Sequence, residues 1–295
     1  MKNQPMKSDI KDLIAISNQI GKNIAYIQGG GGNTSVKIDQ KHMAIKASGF
    51  FLKTMTESAG YSIVNYSAIN TYLDNCDLDE DGFTKKIKSF VLKTNNRPSI
   101  ETGFHAILDK YVIHTHSVYV NILTCSNEGE AIANSLFPNS IWINYSTPGR
   151  ALTLAIKNST NSQKKPAIIF LQNHGIIIHS NMAESANKLH CHVNKSIMNY
   201  FNILPAVFSE NENAINFEFI KNHILFPDQV VYTLAEKNLL NTLAAKETLW
   251  AYRFILSTIK KNKLTPRFLP KNHAKLLLNM ESEKYRQEVL KNDFN

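Results

Sequence analysis

Several things are scarce in this 295-residue chain, and each scarcity excludes something. No apolar run approaches the roughly 18 residues of a membrane-spanning helix, so no membrane partner is expected. The stretch from Met1 to Lys11 has no apolar core, so no secretory leader is expected either. Only three cysteines occur, Cys76, Cys125 and Cys191. They offer neither a disulfide framework nor a paired metal spacing, which suits a reducing cytoplasm. Acidic residues are outnumbered, 24 against 33 basic ones, for a net charge of +9. The basic residues are dispersed, with small clusters only at Lys164-Lys165 and Lys260-Lys261-Asn262-Lys263, and no aromatic residues interleave with them. No nucleic-acid arm is expected. The excess reads as solvated surface, with an anionic substrate as its functional option.

Glycine is also sparse, 12 in all, yet four stand together at Gly29-Gly30-Gly31-Gly32. Such a run is costly in chain entropy and makes sense where backbone must approach something closely. Its successive N–H groups can form an anion nest; a tight flexible turn is the plainer reading. No Lys-Ser/Thr follows the last glycine, so it is not a Walker loop. The order strand–GxGxxG–helix is missing, so it is not a dinucleotide fingerprint.

The chemistry is concentrated in Glu101, His114, His116 and His174. His114 and His116 end the β-branched run Tyr111-Val112-Ile113-His114-Thr115-His116. On a strand, residues two apart share a face, so both imidazoles can reach one ion. His174 ends a second apolar run, Ile168 to Leu171 and on to Gly175. Three imidazoles with an open fourth position suit a catalytic zinc site. Glu101, on the next helix upstream, can handle the proton that an ion-polarised carbonyl requires. A His-x-His-x-Asp-His hydrolase motif is excluded, because Val118 stands at the Asp position. A second pair, His190 and His192, falls where Ala186, Leu189, Val193, Ile197 and Phe201 recur at helical spacing. Residues two apart on a helix diverge, so this pair reads as a solvated or partly packed face.

Along the chain, Ser8 to Gly21 is expected as a helix, and Ser35–Asp39 with Met43–Ala47 as a hairpin. Helices are expected at Ser67–Asp74 and Phe83–Leu92. Ser99 is expected to cap a helix reaching Leu108, with Glu101 in its first turn. Then follow strand Tyr111–His114, helices Ser117–Cys125 and Glu128–Leu136, strand Ile141–Tyr145, helix Gly149–Lys157, strands Ala167–Leu171 and Gly175–His179, and a helix from Met182 to Phe201. Beyond Leu204-Pro205, Phe217–Phe219 and Val230–Tyr232 read as short strands. Two helices are expected there, from about Leu234 to Lys261 and from Lys271 to Lys291. Residues 212–295 are treated as a C-terminal extension to a domain of residues 1–211. The mixed order predicts an α/β layered fold with antiparallel pairing.

Six motifs in order, GGGGNTSVK (29–37), ASGF (47–50), RPSIETGFHAIL (97–108), HTHS (114–117), NYSTPG (144–149) and LQNHGI (171–176), resemble the class II aldolase/adducin family. The likeness covers roughly Ile10 to Phe201. It is strongest to the aldolase part of bifunctional rhamnulose-phosphate aldolase/alcohol dehydrogenases. LFPDQVV (225–231) and ESEKYRQE (281–288) are similar to the tail of that subgroup.

The resemblance implies a three-layer fold, a central mainly antiparallel sheet flanked by helices, with a mainly helical extension here. It implies a zinc-dependent aldolase, or another divalent transition metal in zinc's place, that cleaves or forms a C–C bond in a sugar phosphate through an enediolate. Same-fold epimerases, dehydratases and decarboxylases, and a non-catalytic adducin-like interaction module, remain alternatives. In matched positions, His114, His116 and His174 become the ligands of one ion per chain and Glu101 the acid/base. Tyr145 becomes a proton donor to the aldehyde oxygen from a neighbouring subunit of a closed homo-oligomer, such as a homotetramer. Asn33, Ser48, Gly49 and Ser99 become phosphate contacts, joined by Gly31 and Gly32 of the glycine turn. One hydroxyl of the fuculose-phosphate type is replaced here by Ile100. His105, one turn past Glu101, is expected to hydrogen-bond Glu101 or to pack, with packing favoured.

Overall fold

The computed structural model describes residues 3–92, 96–160, 167–208, 217–234, 240–280 and 284–285. Helix α1 (Asn3–Gly21) begins ahead of the expected Ser8 and buries Leu13, Ile16 and Ile20. The expected hairpin forms as β1 (Asn33–Lys37) and β2 (His42–Lys46). The Asp39 carboxylate accepts the N–H groups of Lys41 and His42 at 2.7 Å, closing its turn. β3 (Tyr61–Asn65) was not anticipated. α2 (Tyr66–Asp74) and α3 (Glu80–Ser89) follow, capped by the side chains of Asn65 and Asp79. After α4 (Thr102–Ile107) come β4 (Tyr111–Thr115), α5 (Val118–Thr124), α6 (Gly129–Leu136), β5 (Ile141–Ile143) and α7 (Arg150–Thr160). β6 (Ile168–Leu171), β7 (Gly175–Ser180) and α8 (Ala183–Tyr200) complete this part.

The seven strands form one sheet in the order β3-β2-β1-β4-β7-β6-β5. Every neighbouring pair is antiparallel except β5 with β6. Strand alternation divides the core into two faces. Val112 and Ile177 point into a cluster with Phe104, Leu108, Leu152 and Ile156, beneath α4 and α7. Ile113, Phe170, Ile176 and Ile178 point the other way, into the larger cluster that α1, α5 and α8 close. His114 lies on the Val112 face, its ring edge-on to Phe104 at 5.8 Å. The fold is thus three-layered, with the sheet in the middle.

Residues after 216 depart from expectation. Phe217–Asn222 is a helix, α9, not a strand. Val230–Tyr232 is not a strand either: α10 (Pro227–Gln229) runs on into a π-helical turn over Val230–Leu234. Phe226 is extended and Pro227 sits at the first helical position, where its fixed φ starts a helix. The β-branched Val230-Val231 pair carried the strand signal, and burial of the turn overrides it. α11 (Leu243–Lys261) starts later than expected, at the Thr242 cap. α12 (Lys271–Asn279) ends at an extended Met280; most of the expected continuation to Lys291 lies outside the described residues. Ile220, Leu225, Phe226, Trp250, Ile255 and Ile259 share one apolar cluster with Leu13 and Ile178, so the extension packs into the main core.

His190 is not on a solvated face. It is fully buried in α8, and its Nε2 lies 2.9 Å from the Thr115 hydroxyl. His192, two residues on, is exposed. Burial pushes the His190 imidazole down to about 4 from 6.5. The unfolded chain therefore binds the extra proton first, and stability falls as pH drops from 6.5 towards 4. At about 1.4 kcal/mol per unit, the loss is on the order of 3 kcal/mol. We expect His190→Gln to flatten this acid limb in urea titrations stepped through that window. An unchanged slope would place the acid loss elsewhere.

Candidate metal centre

The sheet register builds the site. Asn33 of β1 pairs with His114 of β4, which pairs with Ile177 of β7. His116 continues from β4 on the same face as His114. His174 sits in the β6–β7 turn, where its N–H bonds to the Leu171 carbonyl at 3.1 Å and Leu171 pairs with Gly175. Two residues of that turn take positive φ, Asn173 at 54° and Gly175 at 157°. At Gly175 a side chain would run into the Thr115 carbonyl, so glycine lets the turn close onto β4.

The three rings face one another in a triangle, with centroid separations of 4.8, 4.9 and 4.9 Å. One ring nitrogen from each lies within 4.8 Å of the others, and all three residues are buried. His114 donates Nδ1–H to the Ile176 carbonyl at 3.0 Å. His116 donates Nδ1–H to the Asp228 carboxylate at 2.6 Å. Both rings therefore turn an Nε2 lone pair inward, and those nitrogens approach to 3.0 Å. Two lone pairs that close repel unless a proton or cation lies between them. Burial pushes His114 down to about 4 and His174 down to about 3, against the upward pull of Glu101. Neutral imidazoles in a dry pocket are the ligand form that zinc and similar ions take.

Glu101 faces the same point. Its Oε2 is 3.5 Å from His114 Nε2 and its Oε1 is 3.5 Å from His174 Nε2. Oε1 is buried without a hydrogen-bond partner, an unsatisfied charge aimed at the triad. The residue is at the N-cap of α4, not within its first turn as expected. Ser99 forms the turn before it, its carbonyl accepting the Thr102 N–H at 3.1 Å. Burial alone would raise the Glu101 carboxyl; positive charge at His114, His174 and His116, together with the Asn33 amide, more than offsets this and holds it at about 2.

The fold and the triad match a known family. Residues 11–201 match the model for the class II aldolase and adducin N-terminal domain. The chain belongs to the class II aldolase and adducin family. A curated relative, the uncharacterised oxidoreductase YuxG of Bacillus subtilis (strain 168), is 27% identical over 187 residues. That match takes in 60% of this chain and 27% of the relative, so the chain spans about a quarter of that protein's length. The N-terminal class II aldolase domain of a conserved Thermoplasma acidophilum protein superposes with a TM-score of 0.59 at 23% identity, over 65% of this chain and 93% of that one. YgbL of Escherichia coli gives 0.50 at 17%, over 69% and 93%. At those identities the likeness shows the fold.

Other residues implied by the family likeness fall out as follows. Gly32, Asn33, Ser48, Gly49 and Ser99 line one cleft together with Glu101, His116 and His174. Gly31 is not among its lining residues. Its N–H closes a turn onto the Gln28 carbonyl at 3.1 Å, and the Gly29 N–H donates to Glu247 Oε2 at 2.6 Å. The first N–H of the expected nest thus already holds an anion, a carboxylate of α11. Asn33 is tied to the acid/base candidate: its amide donates to Glu101 Oε2 at 2.6 Å and to Ser99 Oγ at 3.2 Å. His105 reaches Glu101 only through Asn33, while its Nδ1 meets Ser35 Oγ at 2.7 Å. Tyr145 is not among the cleft-lining residues; its ring packs edge-on to His273 of α12 at 5.1 Å. Sequence reasoning missed Lys46 and Asp228, both of which line the cleft. Lys46 Nζ donates to the Gly30 carbonyl at 2.8 Å.

The donor set predicts about one divalent ion per chain in the purified protein, with Zn²⁺ expected. His114→Ala should lose most of it in elemental analysis. Full retention would mean that the ion sits elsewhere.

Proposed function

We propose that this chain is a metal-dependent aldolase, a lyase acting on a phosphorylated sugar, with Zn²⁺ at His114, His116 and His174. The observation that carries this reading is Glu101, placed 3.5 Å from two inward-facing ring nitrogens and in one cleft with a buried lysine and two serines. Zn²⁺ there would supply Lewis-acid stabilisation of the negative charge left on the ketose fragment. Glu101, an ionised carboxylate, accepts a proton from the ketose carbon in synthesis and returns it in cleavage. Asn33 fixes the direction of that carboxylate through its bond to Oε2. Lys46, Ser48, Gly49 and Ser99 suit the phosphate: a cation, two hydroxyls and a close-approaching backbone around one anionic group. Holding it fixes where the cleavable bond lies against Glu101.

A non-catalytic interaction module has no use for an ionised carboxylate beside three buried imidazoles, and the pocket weighs against that alternative. Cys76, Cys125 and Cys191 are all free thiols, which agrees with a cytoplasmic enzyme. No described helix is long and apolar enough to cross a membrane.

A panel of ketose 1-phosphates, assayed for aldehyde release with products identified, tests the reaction. Isomerised, dehydrated or decarboxylated products with no aldehyde would replace aldol cleavage by another reaction on the same scaffold. Glu101→Gln keeps the shape but not the proton acceptor. Its turnover should fall by about 10² to 10⁴-fold with metal content unchanged. Parental turnover would reduce Glu101 to a structural role. Tyr145 is assigned the proton on the aldehyde oxygen across a subunit boundary in a closed homo-oligomer. Mixing Tyr145→Phe chains with His174→Ala chains should then restore part of the activity. An active monomer would exclude the shared site.

A further inference from the structure

Asp228 belongs to α10, in the C-terminal extension, 112 residues beyond the histidine it touches. Its Oδ2 accepts the His116 Nδ1–H at 2.6 Å, and both groups are buried. From this geometry we infer that Asp228 is a positioning residue for the metal centre, so that the extension completes the site begun by the sheet. The inference rests on the metal reading given above.

Three observations carry it. His114, by comparison, has a neutral partner, the Ile176 carbonyl at 3.0 Å. His116 alone among the three is shown with a carboxylate on its outer nitrogen. A carboxylate there fixes which nitrogen carries the proton, holds the ring plane, and makes the inner nitrogen a stronger donor. Next, Asp228 is held as firmly as a site residue must be. Gln229 brackets the turn, its Oε1 accepting the Leu225 N–H at 2.8 Å and its Nε2 donating to the Ile220 carbonyl at 3.1 Å. The Leu225 carbonyl in turn accepts Asn173 Nδ2 at 2.8 Å, one residue before His174. The short segment that carries Asp228 is thereby fastened to the turn of a second ligand. Last, the glycine run leaves room for the pair. A side chain at Gly31 would meet both Asp228 Oδ2 and His116 Nδ1.

The test uses the full chain stripped of metal and measures Zn²⁺ affinity by competition with a chromophoric chelator, and the visible spectrum after loading with Co²⁺. Urea unfolding of the metal-free proteins runs alongside. Asp228→Asn keeps the shape and an acceptor oxygen but removes the charge; Zn²⁺ affinity should fall about tenfold, and the Co²⁺ bands should shift. Asp228→Ala should lose between about 10- and 100-fold, the range typical of such outer partners. Should Asp228→Ala fail to fold, the nearly isosteric Asp228→Asn decides the matter. Parental affinity and spectrum in Asp228→Asn, with a parent that binds both ions, would overturn this inference and leave the metal reading standing. A parent that binds neither ion overturns both.

Discussion

Three imidazole nitrogens turned towards one point in a dry pocket are the constraint on which the rest depends. Each ring must be neutral to offer its lone pair, and each must be held against the repulsion of the others. For His114 and His174 burial favours the neutral ring. Outer partners supply the hold for two rings: the Ile176 carbonyl for His114 and the Asp228 carboxylate for His116. The central strands make this possible because β4, flanked by β1 and β7, sits with both edges paired. A ligand strand at the edge of the sheet would have neither a fixed register nor a dry surround. The apolar layers under α4 and α7 on one face, and under α1, α5 and α8 on the other, act as the rigid frame for a few polar groups.

The glycine run serves this frame from one side. Gly32 has φ of 60°, and a side chain there would strike Ile27 and the His114 carbonyl. Gly29 has φ of 53°, and its N–H is capped by Glu247. Tyr232 and Ala244 lie where side chains on Gly29 would reach. The loop is thus pressed between the ligand strand and the extension, and its missing side chains are what let both come close. Lys46 donates to the Gly30 carbonyl and so ties the loop to the cleft. The extension accordingly touches the site at three separated places: Glu247 on the loop, Asp228 on His116 and Leu225 on the His174 turn. Removing it would unsatisfy buried polar groups on every one of these, beyond the loss of apolar packing.

Much of this was legible in the sequence, for reasons of period. His114 and His116 are two apart in a β-branched run, and strand geometry alone puts them on one face. Glu101 and His174 sat beside punctuated elements, Pro98-Ser99 and Asn173-His174-Gly175, whose turns were readable. β3 was missed because its buried positions include Ser62, whose hydroxyl donates to the Asn96 carbonyl at 2.8 Å. Its inward face is therefore partly polar, and no apolar alternation marks it. His190 was left between a solvated and a partly packed face because a histidine inside a helix gives no sign of the Thr115 hydroxyl awaiting it across the layer. Asp228 and Glu247 meet their partners over 112 and 218 residues of chain, where no local pattern carries information. Val230-Val231 misled in the opposite sense, since two β-branched residues in a buried turn look like a strand until the preceding proline is given its weight.

On the aldolase reading proposed above, the electrostatics of Glu101 bear on the order of its tasks. With its carboxyl held at about 2, it rests as an anion over the whole ordinary pH range. A cation at the three nitrogens favours that anion further, because opposite charges a few ångströms apart in a pocket of low dielectric attract strongly. A resting anion cannot begin as an acid. It must first take a proton, and the proton it can take is one made acidic by negative charge developing elsewhere on the bound substrate. Under the proposed aldol reaction, this makes Glu101 the base at the ketose carbon in the direction of bond formation. In cleavage the substrate hydroxyl that becomes the aldehyde oxygen releases a proton, and Glu101 takes it up, directly or through a relay, before giving it to the ketose carbon. In bond formation one proton leaves carbon and one reaches the aldehyde oxygen, so the proton taken up by Glu101 balances the reaction once it is passed on, directly or through a relay. The described cleft places no tyrosine among its lining residues. A tyrosine relay would therefore have to reach the cleft from outside those lining residues, which is the arrangement that the proposed Tyr145 of a neighbouring chain supplies.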